Sequence, residues 1–133
     1  MDIIEFRGRD LSGEWHYGNA VQEIEGHTYL ITGTCGLSCY SRKQVCVNAI
    51  AIEIEADTVS QYTGLTDKYG IRIYENDILY DEYDETINLV RFDEGKFVAD
   101  YGGYITDVCE INDTSWVRGN KFEEDMESED DED

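Results

Sequence analysis

The chain has 133 residues, of which 41% are hydrophobic, and its formal net charge is -21. This length is typical of one domain, and a chain of this size buries about two thirds of its unfolded surface, enough for a core without metal or disulfide support. Nine of the 31 acidic residues lie in 123–133, and the other 22 still outnumber the 10 Lys and Arg, so direct binding to nucleic acid or to an anionic membrane is not expected.

Alternating apolar and polar side chains dominate the body of the chain and predict strands with one dry and one wet face. In Thr86–Phe92 the alternation slips between Leu89 and Val90, which predicts a bulge or a stretch buried on both faces. A short helical turn is a candidate near residues 56–61. The predicted strands include Glu14–Tyr17, Thr28–Thr32, Ile52–Glu55 and Ile71–Tyr74.

Short polar residues followed by glycine separate these runs and predict turns. The clearest hairpin is Val90–Val98, which has a short loop containing Gly95. Gly33–Cys46 is the least regular part of the body and is interpreted as a long loop or an irregular hairpin. The other predicted turns are Asp10–Gly13, Glu25–Gly26, Asp67–Gly70 and Gly102–Gly103.

Short strands at close spacing predict a mostly β fold, arranged as a small barrel or a sandwich of antiparallel strands. An SH3-like barrel is a candidate arrangement for the C-terminal half. We expect a folded body over residues 1–122, with an N-terminal β part at 1–60 and a second β part at 61–122. Residues 123–133 lack apolar groups except Met126, which predicts a disordered acidic tail.

Three cysteines and a histidine form a candidate metal site, at Cys35, Cys39, Cys46 and His27. Structural zinc sites usually contain a C-x2-C turn that aims two thiolates at one ion, and no such turn occurs here. Free thiols are the favoured interpretation, with zinc and a disulfide as alternatives. His16 alternates with aromatic residues and is expected to face solvent. No residues near the cysteines or histidines suggest a catalytic Cys–His pair.

A run of carboxylates lies at Asp77, Asp81, Glu82, Asp84 and Glu85. General acid–base chemistry needs two carboxylates in different environments, and a solvated run offers no such difference. A solvated face is therefore favoured, and a weak divalent-cation site is the alternative.

Two clusters of residues carry a family resemblance. One is Gln61–Gly70 followed by Ile73–Ile78, and the other is Trp116–Phe122. Together with the opening Ile4–Arg7, they resemble the YopX family of small proteins encoded by phages and prophages. The resemblance spans most of residues 1–122.

The chain departs from the family pattern at several places. Arg9 stands where the family usually has Trp, and Asn76 stands where Gly is usual. The Pro that commonly follows the closing Gly-Asn pair is missing. The resemblance implies a phage or prophage origin, a β-rich fold and a tendency to self-associate. It implies no reaction, cofactor or catalytic residue.

The central motif is interpreted mainly as a structural device. Tyr62 and Leu65 are expected to anchor a tight connection to the core, with Gly64 in a conformation closed to other residues. Asp77 is expected to bond backbone amides in a turn. The alternative is a binding surface formed by Gln61, Tyr62, Thr63, Gly64, Leu65, Tyr74 and Asp77.

The sequence therefore predicts a cytoplasmic, non-enzymatic accessory protein that acts through protein contacts, including contacts with its own copies. Neither a signal peptide nor an apolar run of about 18 residues is present. The alternative function is an acidic DNA mimic that inhibits a host nucleic-acid-binding protein, which would need a stripe of carboxylates along one folded face. No catalytic residue, cofactor or metal is predicted.

Overall fold

The computed structural model of the chain describes residues 4–37 and 44–123. These residues fall into an N-terminal unit, Ile4–Gln61, and a C-terminal unit that begins at Tyr62. The fold is mostly β with antiparallel strand pairs, as predicted. No helix in the described part of the chain is long and apolar enough to cross a membrane.

Five strands and a 3-10 helix build the N-terminal unit, together with the first two residues of a sixth strand. β4 and β5 pair as a long hairpin with β3 on the outer side of β4, and β1 pairs with β2. The elements are β1 (Phe6–Arg9), β2 (Trp15–Gly18), β3 (Ala20–Ile24), β4 (His27–Leu37), β5 (Gln44–Ile54) and a 3-10 helix (Ala56–Thr58).

The C-terminal unit contains the rest of β6, six further strands and a short helix. β6 and β7 form one pair, and five strands form a sheet in the order β11-β10-β9-β8-β12. The elements are β6 (Ser60–Thr66), β7 (Arg72–Tyr74), β8 (Asp77–Asp81), β9 (Thr86–Asp93), β10 (Lys96–Tyr101), β11 (Tyr104–Asp107), α1 (Val108–Ile111) and β12 (Ser115–Asn120).

The first hairpin of the N-terminal unit packs closely on the β4–β5 hairpin because two glycines leave room for it. A Cβ atom at Gly18 would lie 2.4 Å from the carbonyl oxygen of Ile31, and one at Gly8 would lie 2.4 Å from Cδ1 of Ile54. Leu30 and Ile54 are buried beneath this contact. The unit therefore derives its core from a close approach of two hairpins.

A cluster of aliphatic side chains forms the core of the C-terminal unit, and Leu65, Phe97, Ile111 and Val117 pack against it. β11 and β12 lie at opposite ends of the strand order and are not paired, so no sheet among the described residues closes into a barrel. Short antiparallel strands are therefore confirmed without a closed barrel, and the SH3-like arrangement of the C-terminal half stays a prediction. The central residues are Ile73, Leu79, Val90, Ala99 and Val108.

The slip in β9 does not arise from a bulge, which was one of the two predicted explanations. β9 pairs with β8 and β10 without a register shift. Asn88 occupies the buried face between Thr86 and Val90, and its amide group donates to the Thr86 hydroxyl at 3.0 Å. A bonded polar residue thus takes a core position, and the strand stays regular.

Two local expectations are confirmed. The chain reverses between β9 and β10 at Glu94 and Gly95, whose φ values are 51° and 84°. The predicted helical turn is the 3-10 helix Ala56–Thr58. Of the predicted loop or irregular hairpin at Gly33–Cys46, the described ends belong to the β4–β5 pair and have a register shift at Thr34/Cys35, whereas residues 38–43 lie outside the described residues.

Candidate functional site

The two tyrosines of the central motif are buried. The ring centroids of Tyr62 and Tyr74 lie 5.5 Å apart, and the Arg72 guanidinium carbon lies 4.9 Å from the Tyr62 ring centroid. Such contacts stabilise the β6–β7 pair through apolar burial and cation–π attraction. Both rings therefore pack in the interior of the C-terminal unit.

The small residues of the motif shape an irregular strand pair. The Thr63 hydroxyl donates to the carbonyl oxygen of Ile73 at 2.8 Å and accepts the N–H of Leu65 at 3.2 Å. Gly64 has a φ of 91° where the β6–β7 register shifts, a conformation that favours glycine. Gln61, at the end of the N-terminal unit, pairs with Phe6 of β1.

Asp67 joins the two clusters that carry the family resemblance. One carboxylate oxygen accepts the N–H groups of Tyr69 and Ile71, and the other accepts the N–H of Val117 at 2.9 Å. The Lys68 N–H also donates to the carbonyl of Ser115. From the sequence, Asp67 is assigned only to a turn, because its bond to a distant strand leaves no local signal.

The end of the motif holds a second set of backbone contacts. Asp77 is buried and accepts the N–H of Tyr74 at 2.7 Å, as expected for a turn. Asn76 has a φ of 73°. Its N–H donates to the carbonyl oxygen of Val90, and its own carbonyl oxygen accepts the N–H of Lys121. Asn tolerates this left-handed conformation better than most residues, which explains how it replaces the usual Gly. These contacts support the structural interpretation of the motif.

A groove of about 400 Å³ opens elsewhere on the C-terminal unit, and an adjoining recess of about 410 Å³ shares part of its wall. The β8–β9 turn, the β10–β11 turn and α1 surround it. No Lys or Arg lines it among the described residues. Its charged and aromatic wall consists of Asp81, Asp84, Glu110, Tyr83, Tyr101 and Tyr104.

Asp81 lies in the wall of both recesses and is only 2% exposed. Its Oδ1 accepts the N–H of Tyr83 at 3.1 Å and the hydroxyl of Thr114 at 2.7 Å, while its Oδ2 accepts no hydrogen bond from the described chain. No described cation forms an ion pair with it. This second oxygen is not among the fully buried unpartnered atoms of the described chain, so a donor from solvent or from a ligand can reach it.

Asn88 presents a second unsatisfied acceptor to the same groove. It is 5% exposed, and its NH₂ group donates to Thr86. No donor in the described part of the chain reaches its Oδ1 oxygen. Two nearly buried residues of the groove, Asp81 and Asn88, therefore each keep one oxygen that no described donor bonds.

The expectation of a uniformly solvated acidic run is wrong. β8 alternates so that Asp77 and Asp81 share the buried face with Leu79, whereas Glu82 and Asp84 in the following turn are exposed. Period-2 alternation extended through Asp77–Asp81 would have placed these two carboxylates inward.

A further cluster lies in the turn between β1 and β2. Asp10 Oδ1 accepts the N–H groups of Ser12 and Glu14 and the Ser12 hydroxyl, and Oδ2 lies 2.7 Å from His16 Nε2. These contacts, with that from Glu14 first, hold the pKa of Asp10 well below its usual range. One ligand atom each from Asp10, Glu14 and His16 lies within 4.8 Å of the others.

This cluster has a sufficient explanation in the turn it closes, since both Asp10 oxygens already accept hydrogen bonds. His16 is half-buried against Asp10, so its expected solvent-facing position is wrong. The Asp10–His16 pair has no signal in the sequence, because a strand-flanking Asp and His six residues apart form no motif.

The proposed cysteine site falls mainly outside the described residues. The side chains of Cys35, Cys39 and Cys46 are not among those described, and neither is the tail from residue 124. His27 Nδ1 lies 2.6 Å from Glu53 Oε2 on an exposed part of the N-terminal unit. Cys109 is exposed and free.

The chain is a small, mostly antiparallel β protein whose C-terminal unit bears an acidic, tyrosine-lined groove. Residues 6–124 match the model of the family described as YopX protein, and the chain belongs to that family, as the resemblance predicted.

Among solved structures, the chain is similar to the crystal structure of protein EF1440 from Enterococcus faecalis. The two share 20% sequence identity with a TM-score of 0.51, over 90% of this chain and 94% of the other, which shows a likeness of fold alone. A comparison with curated proteins gives no match.

Proposed function

We propose that this chain is a phage- or prophage-encoded accessory protein that acts in the bacterial cytoplasm by binding another protein rather than by catalysis. The acidic groove carries this proposal, because its rim exposes 82% of Tyr83 and 78% of Tyr104. Exposed tyrosines are typical of protein interfaces, where they offer a large rigid apolar surface and a hydroxyl for hydrogen bonding.

The charge distribution of the C-terminal unit favours a basic partner. Its ion pairs include Lys68–Glu82 at 2.7 Å, Lys96–Asp107 at 2.9 Å and Arg91–Asp100 at 3.0 Å. The groove carboxylates Asp81 and Asp84 form no such pair among the described residues. An unneutralised negative surface attracts a positive one and accelerates their association.

The alternative of DNA mimicry needs a continuous line of free carboxylates. Glu82, Asp100 and Asp107 are engaged by cations of the same chain, which reduces the charge that they present to a partner. This pairing supports a localised protein contact over an imitation of evenly spaced phosphates. A second copy of the chain stays among the candidate partners.

The proposed function is tested by capture from host lysate on the immobilised full-length chain, followed by reconstitution with the purified partner. Asp84→Asn combined with Tyr104→Ala should abolish capture, because both exposed groups line the groove. The matched control is Glu94→Gln combined with Tyr69→Ala, two exposed residues outside the groove.

Light scattering of the purified chain completes the test, because a second copy as partner would appear as a dimer mass. The absence of any reconstituted partner, together with a monomer at high concentration, would contradict the proposal. Equal capture by the groove and control variants would contradict the role of the groove.

A further inference from the structure

We infer that the groove binds the guanidinium group of an arginine side chain, which a protein partner presents. This inference rests on the proposed function, which it extends to the chemistry of the ligand. Asp81 is 98% buried and Asn88 is 95% buried, and each offers the groove an oxygen that accepts no hydrogen bond from the described residues. A complementary ligand must therefore be a donor of hydrogen bonds.

The donor should carry positive charge. Asp81 is a buried carboxylate without a cation, and Asp84 and Glu110 stand on the same walls. A neutral donor would satisfy the free oxygens but would leave the carboxylate charges unbalanced. Charge-assisted hydrogen bonds are shorter and about twice as strong as neutral ones, so a cation gains more from this site.

The dimensions of the groove favour a large organic cation over a metal ion. Among the described residues, the set of three potential metal ligands within 4.8 Å lies at Asp10, Glu14 and His16 in the N-terminal unit. The three groove carboxylates do not approach one another so closely. Calcium bonds its oxygens at about 2.3–2.6 Å, which requires a tighter gathering of ligands.

The tyrosines favour a guanidinium over an ammonium ion. Tyr101 and Tyr104 face each other across the β10–β11 pair and both line the groove. A guanidinium is planar, stacks on aromatic rings and has five N–H donors that reach several acceptors at once. A lysine ammonium is compact and strongly hydrated, so it would span Asp81 and Asn88 less well.

The test uses three capped tripeptides, Gly-Arg-Gly, Gly-Lys-Gly and Gly-citrulline-Gly, titrated into the full-length protein and followed by ¹⁵N NMR. Citrulline has nearly the shape of arginine without its charge. The arginine peptide should give saturable shifts at the groove residues, with a dissociation constant on the order of 1 mM. The lysine peptide should bind several-fold more weakly, and the citrulline peptide should not saturate.

Four variants locate the site. Asp81→Asn keeps the shape of the buried side chain, and it should weaken binding of the arginine peptide about tenfold by removing one charge-assisted contact. Asp84→Asn and Tyr104→Ala change exposed residues, so they keep the test informative if Asp81→Asn folds poorly. Glu94→Gln, outside the groove, should leave binding unchanged.

Three results would overturn the inference: no saturable shift with the arginine peptide, equal binding of the citrulline peptide, or saturation of the groove by calcium chloride but not by arginine. Failure of the arginine peptide combined with successful partner capture would refute the ligand and leave the proposed function standing. Binding of the arginine peptide without any captured partner would support the ligand and contradict the proposed function.

Discussion

Two buried aspartates of the C-terminal unit, Asp67 and Asp81, show how a structural region differs from a binding region. They are 6% and 2% exposed, respectively. Both oxygens of Asp67 accept backbone N–H groups, three in all, from its own turn and from β12. Asp81 accepts two bonds on one oxygen, and its other oxygen accepts none from the described residues.

Burial alone therefore does not separate a structural carboxylate from one available to a ligand. The hydrogen bonds of Asp67 compensate its charge with backbone dipoles, so the turn can exclude water at little cost. Asp81 has hydrogen bonds from the described chain on one oxygen only, and its other oxygen stays open to a donor from solvent or from a ligand. The motif region around Asp67 should thus control stability, and the groove around Asp81 should control binding.

The largest expected effect is that of Asp67→Ala. The substitution leaves the N–H groups of Tyr69, Ile71 and Val117 without their acceptor. Each unsatisfied buried donor costs about 1–3 kcal/mol, so we expect a loss of at least about 3 kcal/mol in the free energy of unfolding. Urea denaturation measures it. Asp84→Ala, an exposed control in the groove, should change stability by less than about 0.5 kcal/mol.

A smaller loss is expected from Gly64→Ala in the irregular β6–β7 pair. A Cβ atom there would meet nothing within 4 Å, so the cost is conformational and arises from the φ of 91°. Such strain amounts to about 1–2 kcal/mol. Urea denaturation should show this loss, while binding of the arginine peptide stays as in the wild-type chain. Unchanged stability would contradict the left-handed backbone at this position.

Asp81→Asn should affect stability less than the same change at Asp67. Asn can keep an oxygen at the Oδ1 position for Tyr83 and Thr114, and it removes a buried charge that has no cation. We expect a change below about 1 kcal/mol for Asp81→Asn, against about 2 kcal/mol for Asp67→Asn, whose NH₂ group would face the Val117 N–H. Equal losses in urea denaturation would remove the distinction between the two sites.

The sequence predicted the class of fold and the family far better than the site. Alternation and turn residues report on one strand at a time, which was enough for the β9–β10 hairpin and the turn at Gly70. The open sheet and the Asp67–Val117 bond depend on pairing between distant strands. The free oxygen of Asp81 is harder still to predict from the sequence, because it depends on which donors of other elements fail to reach it.

The smallest effect is expected at Asp100, a partly exposed carboxylate that extends the comparison towards the surface. The N–H of Gly103, followed by the Arg91 guanidinium, holds the pKa of Asp100 below its ordinary value. A carboxyl group with a lowered pKa in the folded state stabilises the fold above its unfolded pKa, near pH 4, and this contribution disappears as pH falls through the folded pKa.

Asp100→Asn should therefore lower stability slightly at about pH 6, and the difference from the wild-type chain should narrow towards about pH 3. Urea denaturation at both pH values measures the difference, and ¹³C NMR of the carboxyl group reports its pKa directly. A difference that widens in acid would mean that Asp100 contributes more in its protonated form, against the direction of the pKa shift. Asp100 accepts bonds on both oxygens, as Asp67 does, but it is partly exposed, so a small effect here would show that solvent exposure reduces the contribution of a hydrogen-bonded carboxylate to stability.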